Sequence, residues 1–212
     1  MNKPSENIVE NWKTALSQTK FRWFFYLAIL YFSIFPWKAD DFFQYIQLRE
    51  GYDLNDYLLQ IVPANNHSYL IFGIIYLSVI YLLLQLLKQP KLFIWFAWAF
   101  NIETTLRFIC IYFIPLNPPQ NLVELHDPLA EIFIYGKNLA ITKDLFFSGH
   151  TATMIFVCYF LKGKAEKTIA ITLTILLAYL LLIQHIHYTI DILGAVFFTL
   201  ISILIARKIT SF

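Results

Sequence analysis

Six apolar runs, each near the length of a bilayer crossing, dominate this chain of 212 residues. They cover residues 21–36, 69–87, 92–114, 145–161, 168–183 and 188–206. A helix needs roughly 20 apolar residues to cross the hydrocarbon core, where every backbone amide must be satisfied without water. The remaining composition agrees: 14% of the residues are charged, against about a quarter in soluble domains. The expected fold is all-α, a polytopic membrane helical bundle with six transmembrane helices. One bundle uses the whole length, with residues 1–20 as a polar cytoplasmic N-terminal segment and 21–212 as a single transmembrane domain. The polar first 20 residues lack the apolar core of a secretory signal.

Charge placement sets an expected orientation. With both termini in the cytoplasm, the inner segments hold Lys3, Lys13, Lys20, Arg22, Lys88, Lys91, Lys162, Lys164, Lys167, Arg207 and Lys208. The outer loops hold only Lys38, Arg49, Lys137 and Lys143, beside many acids, among them Asp40, Asp41, Glu50, Asp53, Asp56, Glu124, Asp127, Glu131 and Asp144. A basic excess in short cytoplasmic loops is the orienting signal of membrane proteins, so the expectation is N-in, C-in. The net charge of +2 then reflects topology and anionic headgroups rather than nucleic acid. Cys110 and Cys158 fall within spans and imply no disulfide framework.

Residues 1–20 read as a mobile or interfacial lead-in, and Trp12, Phe21, Trp23, Phe24 and Phe25 suit a membrane boundary. The outer segments 37–68 and 115–148, with Pro63 and Pro115-Leu116-Asn117-Pro118-Pro119, predict short helices and turns over the outer mouth. The inner connections at 88–91 and 162–167 are tight, and the fifth and sixth spans are joined by little more than Gln184-His185-Ile186.

Two polar islands interrupt the apolar sequence, Ser148-Gly149-His150-Thr151 and His187-Tyr188-Thr189-Ile190-Asp191. Each opens a span, and the expected topology puts both at the outer face. His187 and Asp191 are four apart and share a helix face. Asp191 lies about one turn inside the boundary, where a carboxylate is unfavourable unless it is paired or lines a cavity. A carboxylate that holds one imidazole nitrogen leaves the other to attack or to accept a proton. A structural hydrogen-bonded pair is the competing reading. Gly149 lets backbone amides approach an anion, and a helix N-terminus favours phosphate, so His150 there is placed to protonate a departing alkoxide. Its competitor is a Ser148 cap with an interfacial His150.

These motifs resemble the paired motifs of sphingomyelin synthases, within the wider type 2 phosphatidic acid phosphatase superfamily and its S-G-H and H-x-x-x-D motifs. Asp144-Leu145-Phe146-Phe147 resembles the acidic-aromatic lead-in of the synthases, and Thr105-Leu106-Arg107 with Tyr112 resembles their arginine-bearing third span. The chain has no K-x6-R-P motif and carries Gln184 and His185 where the phosphatases have an arginine, departures that favour the synthase-like branch. The long N-terminal domain of some synthases has no counterpart here. Residues 62–67 only loosely match the proline-rich loop, which would line the substrate entrance.

The resemblance implies a lipid phosphotransferase that needs no cofactor or metal. His187 would be the nucleophile, Asp191 its orienting carboxylate and His150 the acid and base. Arg107, Ser148, Gly149, Asp144 and Tyr188 would bind substrate or phosphate. Arg107 also has Glu103 one turn earlier as a structural partner, and Asp144, which would support His150 or the acceptor hydroxyl, reads first as a solvated loop acid. His185 reads as interfacial; His126 and His67 have no assigned role. The implied partners are phospholipid and lipid-alcohol substrates in the bilayer; the short polar N-terminal segment and the lack of targeting signals lead to the expectation of a bacterial inner membrane, with the site on its outer face. Water in place of the acceptor gives a lipid phosphatase. Two readings of other kinds remain: zinc held by His150, His187 and Asp191 in a ceramidase-like hydrolase, and a non-catalytic scaffold or transporter.

Overall fold

The structure is a computed structural model, and it describes residues 7–125 and 141–211. Lys3, His126, Asp127, Glu131 and Lys137, named above, lie outside the described residues. Eight helices are present among the described residues, with no strand beyond an isolated bridge between Tyr52 and Leu116. They are α1 (Ile8–Ser17), α2 (Thr19–Leu48), α3 (Tyr57–Ile61), α4 (Ser68–Leu86), α5 (Pro90–Phe113), α6 (Gly149–Phe160), α7 (Lys164–Ile183) and α8 (Thr189–Ile209).

Local chemistry sets several of these boundaries. Asn7 caps α1 by accepting from Val9 N, and Asp56 caps α3 by accepting from Leu58 N, each at 3.1 Å. Pro90 opens α5 at a position where its missing amide leaves nothing unsatisfied. Pro36, the expected end of the first span, does not stop α2, which runs 30 residues through it. Its second half is held by packing: Ala39, Phe43 and Ile46 bury against Ile111, with Phe108 beside them. The N-terminal lead-in is docked as well. Trp12 of α1 packs edge-on against Phe25 and Phe93, and its indole N–H donates to Leu87 O at 2.7 Å.

Within the bundle, α5 packs along α8, α6 lies against α4, α7 and α8, and α2 lines the far side of α5. The main core runs through Ile71, Leu82, Leu86, Met154, Phe156, Leu177 and Ile203. Outward faces are also apolar: Leu77, Ile80, Ile169, Ile175, Leu193 and Phe197 are all exposed. A protein hydrophobic both inside and outside is built for lipid. Four helices, α4, α5, α7 and α8, are long and apolar enough to cross a membrane. The expected fourth span is shorter than the apolar run suggests. Residues 145–148 precede α6, whose 12 residues extend only about 18 Å at ~1.5 Å per residue. All of this is a helical membrane protein.

Candidate active site

The short connection from α7 to α8 builds half of the site. Tyr188 is the N-cap of α8 and Asp191 stands in its first turn. One carboxylate oxygen of Asp191, Oδ2, accepts from Tyr188 N at 2.9 Å and contacts His187 Nδ1 at 3.2 Å. The same oxygen therefore satisfies the helix start and orients the imidazole. With His187 neutral, the Nδ1 proton points to the carboxylate and Nε2 keeps its lone pair. Both side chains are secluded, His187 at 3% exposure and Asp191 at 0%.

The other half begins at Ser148, the N-cap of α6. Its Oγ accepts from Thr151 N at 3.3 Å and from the Thr151 hydroxyl at 3.1 Å. Its own amide donates to the backbone oxygen of Asp191 at 3.1 Å. That bond ties the first turn of α6 to the first turn of α8, so the two motifs meet despite the 36 positions between His150 and His187 in the chain. The two imidazole rings lie 5.9 Å apart at an interplanar angle of 63°, near enough to reach one phosphoryl group. His150 also meets Phe72 edge-on at 6.0 Å, and its Nδ1 is buried without a hydrogen-bond partner.

Arg107 reaches this turn from α5. Its Nη2 pairs with Asp144 Oδ2 at 2.6 Å and its Nε donates to Phe147 O at 2.9 Å. Gly149 lies directly against it: a Cβ there would sit 2.9 Å from Arg107 Cζ. Only glycine allows that approach. Asp144 is thus an ion-paired group with 15% side-chain exposure, not the solvated loop acid that the sequence suggests first. Pairing explains the difference, since a guanidinium inside the bundle needs a counter-charge. Glu103, one turn before Arg107, is also buried, and its Oε1 has no partner. Below the turn, Phe147 stacks on Phe198 at 4.9 Å, and Phe146 seats on Gly194, where a Cβ would come within 2.9 Å.

Three residues of the connecting segments matter more than their sequence signal suggests. His185, read as interfacial, is buried with φ of 53°, and its ring nitrogens lie 2.9 Å from Gln120 O and Val62 O. The positive φ turns it inward, where two carbonyls compete with solvent for it. Gln184 is fully buried. Its amide nitrogen donates to Ser68 Oγ and Glu124 O, and its oxygen accepts from His67 N. Asp56 accepts from both Thr189 N, at 2.6 Å, and Thr189 Oγ1, at 3.1 Å, and so caps α8 from a distant loop. Nothing in local spacing signals these long-range contacts; a polar residue inside an apolar stretch, as at Gln184, is the one available hint.

A cavity of about 800 Å³ opens beside this connection, lined by Asp53, Asp56, Gln60, Pro63, Gln120 and Tyr188 among others. The Tyr188 hydroxyl donates to Asn117 O at 3.0 Å, which makes that side chain a structural strut at the cavity edge. Val62, Pro63 and Ala64 are among the residues that line this cavity. Among the described residues, no three His, Cys, Asp or Glu side chains are arranged to hold one metal ion. The zinc triad raised from sequence does not form.

A helical membrane protein with a secluded histidine–carboxylate pair facing a second histidine is the class these observations define. Residues 143–208 match the family model described as PAP2 superfamily C-terminal. The matched stretch contains Asp144, Ser148, Gly149, His150, His187, Tyr188 and Asp191, with Arg107 outside it. The match supports the type 2 phosphatidic acid phosphatase superfamily for this part of the chain, and with it an enzyme of the lipid phosphatase or phosphotransferase type. Comparison with curated proteins and with solved structures gives no match.

Proposed function

We propose that the protein is an integral-membrane lipid phosphotransferase of the sphingomyelin synthase-like kind, exchanging a phosphoryl headgroup between lipid alcohols through a phosphohistidine. One observation carries this reading: His187 Nδ1 rests on Asp191 while the His187 ring faces His150 at 5.9 Å. His187 Nε2 attacks the phosphorus of a phosphodiester donor as the bond to the lipid alkoxide breaks. His150 gives its proton to the leaving oxygen, and a diacylglycerol departs. The neutral His150 then takes the proton of the acceptor hydroxyl; that oxygen bonds to phosphorus, and the phosphorus–nitrogen bond breaks to free His187.

Arg107 braces the turn that presents His150 and places positive charge beside the phosphoryl group. Asp144 holds Arg107 in place, Ser148 and Gly149 shape the turn, and Tyr188 lines the approach. The seclusion of His187 and Asp191 supports an alcohol acceptor over water. The same reading keeps six crossings with both ends in the cytoplasm and the site on the outer face of a bacterial inner membrane; the basic inner segments support it.

Purified protein in proteoliposomes with a headgroup-labelled phospholipid and an unlabelled lipid alcohol tests the proposal. Label is expected in the acceptor lipid for the wild type and in none for His187→Ala. Label released as water-soluble phosphate or phosphorylated headgroup would instead make the protein a phosphatase. Transfer that survives His187→Ala would overturn the histidine mechanism altogether.

A further inference from the structure

The end of the bundle away from the two histidines has a cavity of its own, about 740 Å³ in volume. It lies between α1, the turn from α4 to α5, the end of α6 and the end of α8. Arg207 lines it, sixteen residues along α8 from Asp191 (207 − 191), or about 24 Å at ~1.5 Å per residue. The cavity is therefore separate from the site above, and none of its side chains enters the proposed reaction.

Four cationic side chains border it, Lys88, Lys91, Lys162 and Arg207, against one carboxylate, Glu10. They converge from three separate segments. The inner wall is apolar and ordered: Pro90 and Ala15 are buried, and Trp95 donates its indole N–H to Ile203 O at 3.0 Å. The Arg207 guanidinium lies over that fixed ring, 5.7 Å from its centroid, a cation–π contact that sets where the charge points. The position matters equally. The cavity sits where α4 and α8 end and α5 begins, three helices fit to cross a membrane, and so at headgroup depth, where basic pockets between helices meet lipid phosphates.

We propose that this cavity binds the phosphate headgroup of an anionic glycerophospholipid, held as a resident lipid and not as a substrate. Four cations around one acid select a net-negative headgroup over a zwitterionic one. Guanidinium and ammonium donors match phosphate oxygens, and the Trp95–Pro90 wall suits the glycerol and upper acyl carbons. The volume falls within the roughly 300–1,000 Å³ of small-molecule sites. The bound lipid joins α1 to the ends of α5 and α8.

Native mass spectrometry of the intact protein released from nanodiscs tests this, using equal parts dioleoylphosphatidylglycerol and dioleoylphosphatidylcholine. The wild type is expected to retain the anionic lipid about fivefold or more over the zwitterionic one, a preference set by several basic contacts. Lys88→Gln and Arg207→Gln singly lower that ratio, and K88Q/K91Q/R207Q brings it to parity. K164Q/K167Q, which removes two exposed bases of α7 that do not line the cavity, leaves it unchanged, as does His187→Ala. Parity in the wild type overturns the proposal. So does an undiminished ratio in the single variants, which decide the matter if the triple variant fails to fold. Loss of the lipid in His187→Ala would assign it to the other site. Equal thermal stabilisation by inorganic phosphate and by phosphatidylglycerol would refute the commitment to a lipid.

Discussion

Replacing Gly149 with alanine asks whether the turn that carries His150 is set by the Arg107 guanidinium. The added methyl group would lie 2.9 Å from Arg107 Cζ, 3.0 Å from Nε and 3.2 Å from Nη2. Comfortable separation for such atoms is about 3.5–4.0 Å, so the overlap is roughly 0.5–1 Å. Neither side gives way freely. Arg107 is held through Nε to Phe147 O and through Nη2 to Asp144, and the turn is held by Ser148 N to Asp191 O at 3.1 Å. If the guanidinium moves, a hydrogen bond to a charged group is lost, worth about 1.5–3 kcal/mol. If the turn moves, His150 shifts against His187, and a displacement near 1 Å at a reacting centre lowers the rate on the order of 10²-fold. Helix propensity alone would favour alanine by up to ~1 kcal/mol, so any destabilisation must come from the overlap. The assay combines thermal unfolding in detergent with headgroup transfer for Gly149→Ala, Arg107→Ala and the double variant. The expected result is a destabilisation of about 2 kcal/mol and a roughly 100-fold loss of transfer in the single glycine variant. Its destabilisation should disappear once Arg107 is alanine, because the colliding atoms are gone. Wild-type stability and near-normal transfer in Gly149→Ala, or the same destabilisation with and without Arg107, would refute the reasoning.

Asp191→Asn keeps the shape but offers one acceptor oxygen without charge; transfer is expected to fall on the order of 10²–10⁴-fold with donor-lipid KM little changed, read from initial rates. Asp56→Ala removes a cap of α8 supplied from another loop, and chemical denaturation should report a loss of about 0.5–2 kcal/mol; transfer falls with it, since Thr189 follows His187 by two positions. Gln184→Leu leaves Glu124 O, Ser68 Oγ and His67 N without their shared partner, and unfolding should show a loss of about 1–3 kcal/mol, with hydrogen exchange rising at His67 and Val123 first.

The fold was legible from sequence where lipid is the solvent. Apolar runs mark helices because exposed polar groups are so unfavourable in a bilayer, and the starts of α4, α5 and α8 fall within two residues of the runs that predict them. The His187–Asp191 pair is legible for a different reason: four positions apart, the two meet at one helix start, although His187 stands just before the Tyr188 cap and not on the helix face that the spacing suggests. Arg107 with Asp144 is not, because the two are brought together only by the path of the 141–148 segment across the bundle. Sequence spacing offers Glu103 as readily. Pro36 misleads in the same way, since the penalty of a missing amide is local while the packing of Phe43 and Ile46 on Ile111, which outweighs it, is distant. His185 reverses the usual inference. A histidine next to a helix end suggests the interface, but a left-handed backbone at that position turns the ring inward.

The brevity of α6 has a consequence for how anything reaches the two imidazoles. α6 is about 18 Å long and Asp191 stands about 24 Å from Arg207 along α8, both short of the roughly 30 Å of a bilayer's oily layer. On the proposed six-crossing reading, the two imidazoles then lie within the oily layer and not at its surface. A water-soluble molecule would have to dive to meet them, whereas an amphiphile already lodged among its neighbours has only to slide sideways and tuck in its polar tip.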